Sequence, residues 1–103
     1  MIKGTTPTLH FNIPIETANI KAAEIVLQYV DNTKIYTIER TLEDCEVGEK
    51  SIAAVLTQEE TLALPAPSIA KVQLRILTVD NISLATVPFE VKVKELLKES
   101  VLV

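Results

Sequence analysis

The segment from Lys71 to Val93 restricts the fold of this chain more than any other, because it has the pattern of a β-hairpin. Asp80 and Asn81, a favoured turn pair, lie near its centre. A turn there predicts one apolar face and places Lys71 opposite Glu90 on the other face, where opposite charges stabilise a sheet. A slip of one residue would mix the two faces. The expected apolar pairs are Ile76 with Ala85, Leu74 with Val87 and Val72 with Phe89.

Pro88 constrains both the loop and the last strand of this hairpin, because proline has no backbone N–H to donate to a sheet. A minimal two-residue turn would put residue 88 at a hydrogen-bonded pair and lose one bond. A wider loop, from Val79 to Ile82, keeps the same facing residues and turns the proline nitrogen outward. The sequence therefore predicts that the last strand is an edge strand, or is bulged at Pro88. The candidate residues for pairing with another chain are Val87, Pro88, Glu90 and Lys92.

Composition favours strands and a single folding unit. Valine, isoleucine and threonine supply 33 of the 103 residues, and β-branched side chains suit a pleated, half-buried surface. A chain of 103 residues is near the usual size of one domain. We therefore expect one all-β domain over residues 1–103, with residues 1–7 as a polar lead-in.

Alternation of apolar and polar residues predicts the earlier strands. Leu9, Phe11 and Ile13 alternate with polar residues in a first, half-buried strand. The segment from Ile20 to Val30 mixes helix-favouring and strand-favouring residues, and we predict a strand from about Lys21 that ends at Asp31 and Asn32. Further strands are expected at Thr41–Val47 and Ser51–Leu56, with a turn over Val47–Lys50.

A third strand is predicted from Lys34 to Arg40, and three alternatives remain for its pairing with the strand before it. A two-residue turn pairs Ile25 with Ile38, although it also opposes two glutamates. A three-residue turn pairs Val26 with Ile38 instead. In the third alternative the two strands belong to different sheets, as consecutive strands of immunoglobulin-like sandwiches often do.

Thr57 and Glu60 have the spacing of a capping box, in which each side chain accepts the other residue's backbone N–H. This predicts a short helix from Gln58 to about Leu64, ended by Pro65 and Pro67. With about seven short strands and turn signals between them, the chain is typical of an immunoglobulin-like, two-sheet antiparallel β-sandwich with one short helix.

Charge and hydropathy argue against several kinds of partner. The net charge is -4 and the pI is about 4.9, with no basic stripe, so we expect no nucleic-acid binding. No apolar run approaches the ~18 residues of a membrane span, and residues 1–7 lack the apolar core of a signal peptide. We expect no membrane partner, and we expect synthesis and folding in a cytoplasm, where the single Cys45 would stay reduced.

Residues with catalytic or metal-binding chemistry are sparse. His10 lies in mid-strand on the polar face, with no nearby cysteine or second histidine for a metal pair. Cys45 is distant in sequence from that single histidine and is expected to be a buried or half-buried structural thiol. The acidic run Glu43–Glu49 lacks the pattern of a calcium loop. We therefore expect no enzyme activity, and no catalytic, cofactor-binding or metal-binding residues.

Three short stretches of this chain are similar to stretches that occur in the same order in a known group of proteins. They are Gly4–Thr8, Leu56–Thr61 and Val72–Asn81. In these stretches the chain resembles a group of short proteins encoded among the late structural genes of phages and prophages of Gram-positive bacteria. That group is similar in turn to the N-terminal immunoglobulin-like modules of baseplate and tail-fibre proteins. Its members often have a glycine in the final turn, where this chain has Asp80, Asn81 and Ile82.

The resemblance implies a non-enzymatic structural or adaptor module of the phage tail or baseplate. Its partners would be other tail or baseplate proteins. Apart from the resemblance, the sequence leaves a homo-oligomer open as an alternative. The module would be located in the virion after synthesis in the bacterial host cytoplasm. An alternative is a small module that binds carbohydrate or the cell wall, suggested by the sandwich and the acidic run Glu43–Glu49. A third, minor alternative is a regulatory or anti-host protein made during infection.

Overall fold

The computed structural model describes residues 1–31 and 33–103, and this part of the chain forms a two-sheet antiparallel β-sandwich. One sheet has three strands in the order β1-β5-β4. The other has β3, β2 and β6 in that order, with β7 and β8 both paired to β6. The strands are β1 (Thr8–Asn12), β2 (Ile20–Val30), β3 (Ile35–Thr41), β4 (Glu46–Gly48), β5 (Ser51–Val55), β6 (Ser68–Thr78), β7 (Ser83–Ala85) and β8 (Phe89–Val93).

The predicted fold class is therefore confirmed. If β7 and β8 are counted as the two halves of one strand, the described residues contain seven strands, as expected. The α-helix, α1 (Gln58–Leu62), connects the two sheets. Nowhere in the described residues is a helix long and apolar enough to span a membrane.

The core lies between the two sheets and is built largely by alternation along the strands, which a register shift interrupts in β2 between Ile20 and Ala22. In β6 the inward side chains of Val72 and Leu74 are buried, whereas Lys71 and Arg75 face solvent. Full burial of one such aliphatic side chain contributes roughly 1.5–3 kcal/mol. The residues that fill the core are Phe11, Ile13, Ile20, Ile25, Leu27, Ile38, Ile52, Ala54, Leu56, Leu64, Ala70, Val72, Leu74, Ile76 and Val93.

The β2–β3 hairpin has a register that none of the three alternatives anticipated. Leu27 faces Ile38 and Tyr29 faces Tyr36, so the strands share one sheet and their connection runs from Asp31 to Lys34. The Asp31 carboxylate accepts the backbone N–H groups of residues 33 and 34 at 2.7 and 2.6 Å, and these bonds lower the pKa of Asp31. Asn32, part of the predicted end of β2, lies outside the described residues.

The predicted strand over Thr41–Val47 is wrong in its first half, which is a 3₁₀ helix over Leu42–Asp44. The backbone N–H and the hydroxyl of Thr41 each donate to the Asp44 carboxylate at 3.0 Å, and these bonds lower the pKa of Asp44. A threonine followed three residues later by an acid is a capping signal, and here it competes successfully with strand formation. Only Glu46–Gly48 remains as a strand.

The capping box before α1 is confirmed. The Thr57 hydroxyl accepts the N–H of Glu60 at 3.2 Å, and the Glu60 carboxylate accepts the N–H of Thr57 at 2.9 Å. The helix ends at Leu62, two residues before the predicted end at Leu64.

The first residues of the chain are held against α1, although the sequence predicted only a polar lead-in. The buried Thr61 hydroxyl accepts the Gly4 N–H at 2.9 Å and donates to the Thr5 carbonyl at 2.8 Å. Gly4 has a φ of 79°, and a Cβ at this position would lie 2.8 Å from a methyl group of Leu96. Glycine is therefore required here both by backbone conformation and by space.

Candidate interaction edges

The turn of the β6–β7 hairpin is shorter than predicted. The N–H of Thr78 donates to the carbonyl of Ile82 at 2.9 Å, which leaves a three-residue loop over residues 79–81. Asn81 has a φ of 63°, the left-handed conformation that closes loops of this length. The register of β7 is consequently one residue away from the prediction, with Ile76 opposite Leu84 and not Ala85.

Pro88 forces the register to change again before β8. In the β7 register, residue 88 would oppose Val72 at a position that must donate to β6, which proline cannot do. The chain instead inserts one extra residue, so that Phe89 opposes Val72 and Glu90 opposes Lys71. These two pairs match the prediction, as does the bulge at Pro88, whereas the predicted pair of Leu74 with Val87 is wrong.

Thr86 supports this bulge by replacing a missing backbone acceptor. Its N–H donates to the Leu74 carbonyl at 2.9 Å, and its hydroxyl accepts the Leu74 N–H at 3.0 Å. Its own carbonyl accepts from the Gln73 side-chain amide at 2.8 Å. The backbone of β6 thus keeps its hydrogen bonds although the partner strand is interrupted.

Replacing Thr86 by valine should destabilise the fold by about 1–2 kcal/mol, because the partly buried Leu74 N–H loses its acceptor. Valine has nearly the same shape, so packing changes little. Urea denaturation measures the loss, and Thr86→Ser, which retains the hydroxyl, serves as the matched control. Equal stability of the valine and serine variants would show that the hydroxyl has no such role.

Of the four residues predicted for edge contact, Glu90 and Lys92 lie in β8, and Val87 and Pro88 lie in the bulge that precedes it. Val87 is 85% exposed, and Pro88, Glu90 and Lys92 are also exposed. The Lys92 carbonyl accepts from the Met1 amino group at 2.9 Å. Since outward groups alternate along a strand, Pro88 and Glu90 also direct their backbone outward.

The N-terminal segment covers the far end of this edge. The Lys94 N–H donates to the Met1 carbonyl at 2.7 Å, and the Lys3 N–H donates to the Lys94 carbonyl at 3.1 Å. Ile2 and Lys94 form a parallel bridge. A bulge, a proline, charged side chains and a covering segment are the devices by which proteins protect sheet edges from pairing. The edge of β8 is therefore largely protected.

In the described residues, charged side chains are the one such device on the outer edge of β3, at the other side of the same sheet, where Glu39 and Arg40 carry them. The strand is seven residues long and contains neither a proline nor a bulge. The hydrogen bond from the Asp31 N–H to the Lys34 carbonyl (3.0 Å) sets the alternation of backbone groups. Ile35, Thr37 and Glu39 consequently direct their N–H and C=O groups away from β2.

At each end of this outward row an aspartate carboxylate accepts the terminal N–H group. Asp31 accepts the N–H of Thr33, and Asp44 accepts the N–H of Thr41. Between these ends, the described residues provide one further partner, the Arg40 guanidinium, which donates to the Glu39 carbonyl at 2.9 Å. We call the outward backbone of Ile35, Thr37 and Glu39 the β3 edge. Sequence reasoning missed it because the pairing of this strand was open.

The two edges of the three-stranded sheet are shorter than the β3 edge. β1 has five residues and lies between Pro7 and Pro14, which limit pairing beyond it. β4 has three residues, and the Thr17 hydroxyl donates to its Gly48 carbonyl at 2.6 Å. Of the edges in the described part of the chain, the β3 edge is thus the longest without a proline, a bulge or a covering segment.

An ion pair fixes the end of β3 to α1. The Arg40 guanidinium donates to both carboxylate oxygens of Glu60, at 2.5 and 2.8 Å, and to the Val55 carbonyl at 3.2 Å. The hydrogen bonds from Arg40 are the largest cause that lowers the pKa of Glu60, to about 2. The pair joins the C-terminal end of β3, a strand of one sheet, to the helix that follows the other sheet.

The residues with potential chemistry lie apart from the β3 edge. His10 is exposed on β1. The Cys45 thiol donates to the Thr41 carbonyl at 3.2 Å, and burial is the main cause that raises its pKa, so the thiol is a weak nucleophile. No group of three or more His, Cys, Asp or Glu residues suited to a metal ion occurs in the described residues.

A small apolar cleft of about 270 Å³ opens between the end of β1 and the β6–β7 hairpin. Leu74 and Ile76 line it from one sheet and Phe11 and Ile13 from the other, with Leu84 at its rim. The cleft continues the core to the surface beside β7.

Comparison with known proteins finds no matching protein-family model, curated protein or solved structure.

Proposed function

We propose that this chain is a non-enzymatic structural or adaptor module of a phage tail or baseplate, acting through protein–protein contacts. The observation that supports contact by strand pairing is the β3 edge, a regular strand with a free row of backbone groups in a molecule whose β8 edge is protected. Long free edges promote uncontrolled association, and proteins usually block them unless a partner occupies them.

The assignment to a tail or baseplate rests on the three resembling stretches, Gly4–Thr8, Leu56–Thr61 and Val72–Asn81. One of them, Leu56–Thr61, contains the capping box of α1, and another, Val72–Asn81, contains most of β6 and its turn. These stretches shape the fold, and the contact edge lies between them in sequence. In this view the shared stretches maintain the fold, and β3 determines which partner the chain binds.

Mass spectrometry of density-purified virions of the encoding phage tests this proposal. We expect peptides of this chain in intact virions and in the isolated tail fraction, at a ratio to tail proteins that repeated purification leaves unchanged. An abundant host cytoplasmic protein serves as the carry-over control and should decrease at each step. Loss of this chain in parallel with the host protein would contradict the proposal.

A further inference from the structure

We propose that the partner of the β3 edge is a second copy of this chain, paired antiparallel about a two-fold axis through Thr37. The inference builds on strand pairing as the mode of contact in the proposed function, and it names the partner. The five-stranded sheets of two copies would join into one continuous sheet.

The row of free backbone groups is itself symmetric about Thr37. Asp31 closes one end of the row at Thr33, and Asp44 closes the other end at Thr41. The groups between these ends belong to Ile35, Thr37 and Glu39. A two-fold axis at Thr37 therefore places the three free residues of one copy opposite the same three residues of the other copy. A register shifted by two residues would instead oppose one of them with Thr33 or Thr41, whose N–H is already bonded to an aspartate.

In this register each outward backbone group of Ile35, Thr37 and Glu39 has a partner. Thr37 faces its own counterpart, and Ile35 faces Glu39 of the second copy. Each facing pair exchanges two N–H···O=C bonds, as in the hydrogen-bonded pairs of an antiparallel sheet. The Glu39 carbonyl keeps its bond to Arg40, because a carbonyl oxygen has two lone pairs.

The side chains are compatible with the same register. Tyr36 faces Ile38 of the second copy, and aromatic with β-branched pairs stabilise antiparallel sheets. Lys34 faces Arg40 of the second copy, but the Arg40 charge is neutralised by Glu60. Ile35, 66% accessible in the single chain, would pack in the dimer against the aliphatic part of the Glu39 side chain of the second copy. No unpaired like charges meet across the axis.

Sedimentation velocity from low to high micromolar concentration tests the pairing with Thr37→Pro. Proline at this outward position removes one donor without affecting the bonds to β2, so the fold should be retained, as circular dichroism will check. We expect the wild-type chain to dimerise as concentration rises, and the variant to dimerise at least about tenfold more weakly. Glu90→Pro removes an outward donor from the β8 edge and should leave dimerisation unchanged.

A cysteine at the axis tests the register. In a Cys45→Ser background, Thr37→Cys should give a disulfide-linked dimer under mild oxidation, whereas Val87→Cys, at an exposed position in the bulge before β8, should not. A wild-type chain that stays monomeric throughout, or equal dimerisation by Thr37→Pro, would overturn the inference.

If virions nevertheless contain the chain, the proposed function survives and the partner is another protein. If the chain dimerises as expected but is absent from virions, the pairing stands and the proposed function is wrong.

Discussion

Replacing Leu27 by alanine is expected to lower the free energy of unfolding by about 3 kcal/mol. Leu27 is fully buried in β2, between Ile38 of β3 and Val72 of β6. Truncation removes its transfer free energy and leaves a cavity that two flanking strands prevent from collapsing. Because domains of this size are stable by only about 5–15 kcal/mol, this one change would remove a large part of the total.

Urea denaturation followed by circular dichroism measures this loss. Leu97→Ala is the matched control, since Leu97 is fully exposed in the C-terminal segment and the same atoms are removed. The control should change stability by less than about 0.5 kcal/mol. Equal effects of the two substitutions would mean that β2 does not form the centre of the core.

The strands were predictable because their information is local and repeated. The alternation along β6 continues over eleven residues. One residue that departs from the pattern would therefore not change which face of the strand is predicted to be buried. The capping box at Thr57 and Glu60 was predictable for the same reason, since two residues at fixed spacing satisfy each other. Signals of this kind do not depend on the rest of the chain.

Register and loop length were less predictable because they depend on side chains bonding to the backbone. Asp31 folds the β2–β3 connection around its carboxylate, and this changes which residues of β3 face β2. Asp44 converts a predicted strand into a 3₁₀ turn. Each carboxylate offers the backbone an acceptor that a pattern of apolar residues does not include.

The contact edge depends on tertiary structure and was the least predictable feature. Pro88 correctly indicated an outward backbone, but that alone did not show whether the edge is open or protected. The decisive contacts join Met1 to Lys92 and Lys94, at opposite ends of the sequence. Likewise, the β3 edge is recognised only when both aspartates that bound it are seen in place.

Glu60→Gln is expected to destabilise the fold by about 2 kcal/mol at neutral pH, because the partly buried Arg40 guanidinium loses its counter-charge. Glutamine can still accept the Thr57 N–H in the capping box, so the substitution isolates the ion pair. Glu59→Gln is the matched control, since Glu59 is an exposed residue of the same helical turn. Urea denaturation of all three proteins compares their free energies of unfolding.

The pH dependence separates this ion pair from a packing effect. Hydrogen bonds from the Arg40 guanidinium, with a smaller contribution from Thr57, hold the pKa of Glu60 at about 2 in the folded chain, below its ordinary value of 4.5. A depressed carboxylate pKa stabilises the fold above pH 4.5, and this contribution is lost as the pH falls towards 2. The pKa change limits it to about 3 kcal/mol. The difference in unfolding free energy between the wild type and Glu60→Gln should therefore decrease steadily over that range. A difference that persists at pH 2 would show that the substitution acts through altered packing and not through loss of the ion pair. Because Arg40 also bonds the Glu39 carbonyl, loss of the pair should loosen the β3 edge and weaken dimerisation at the same time.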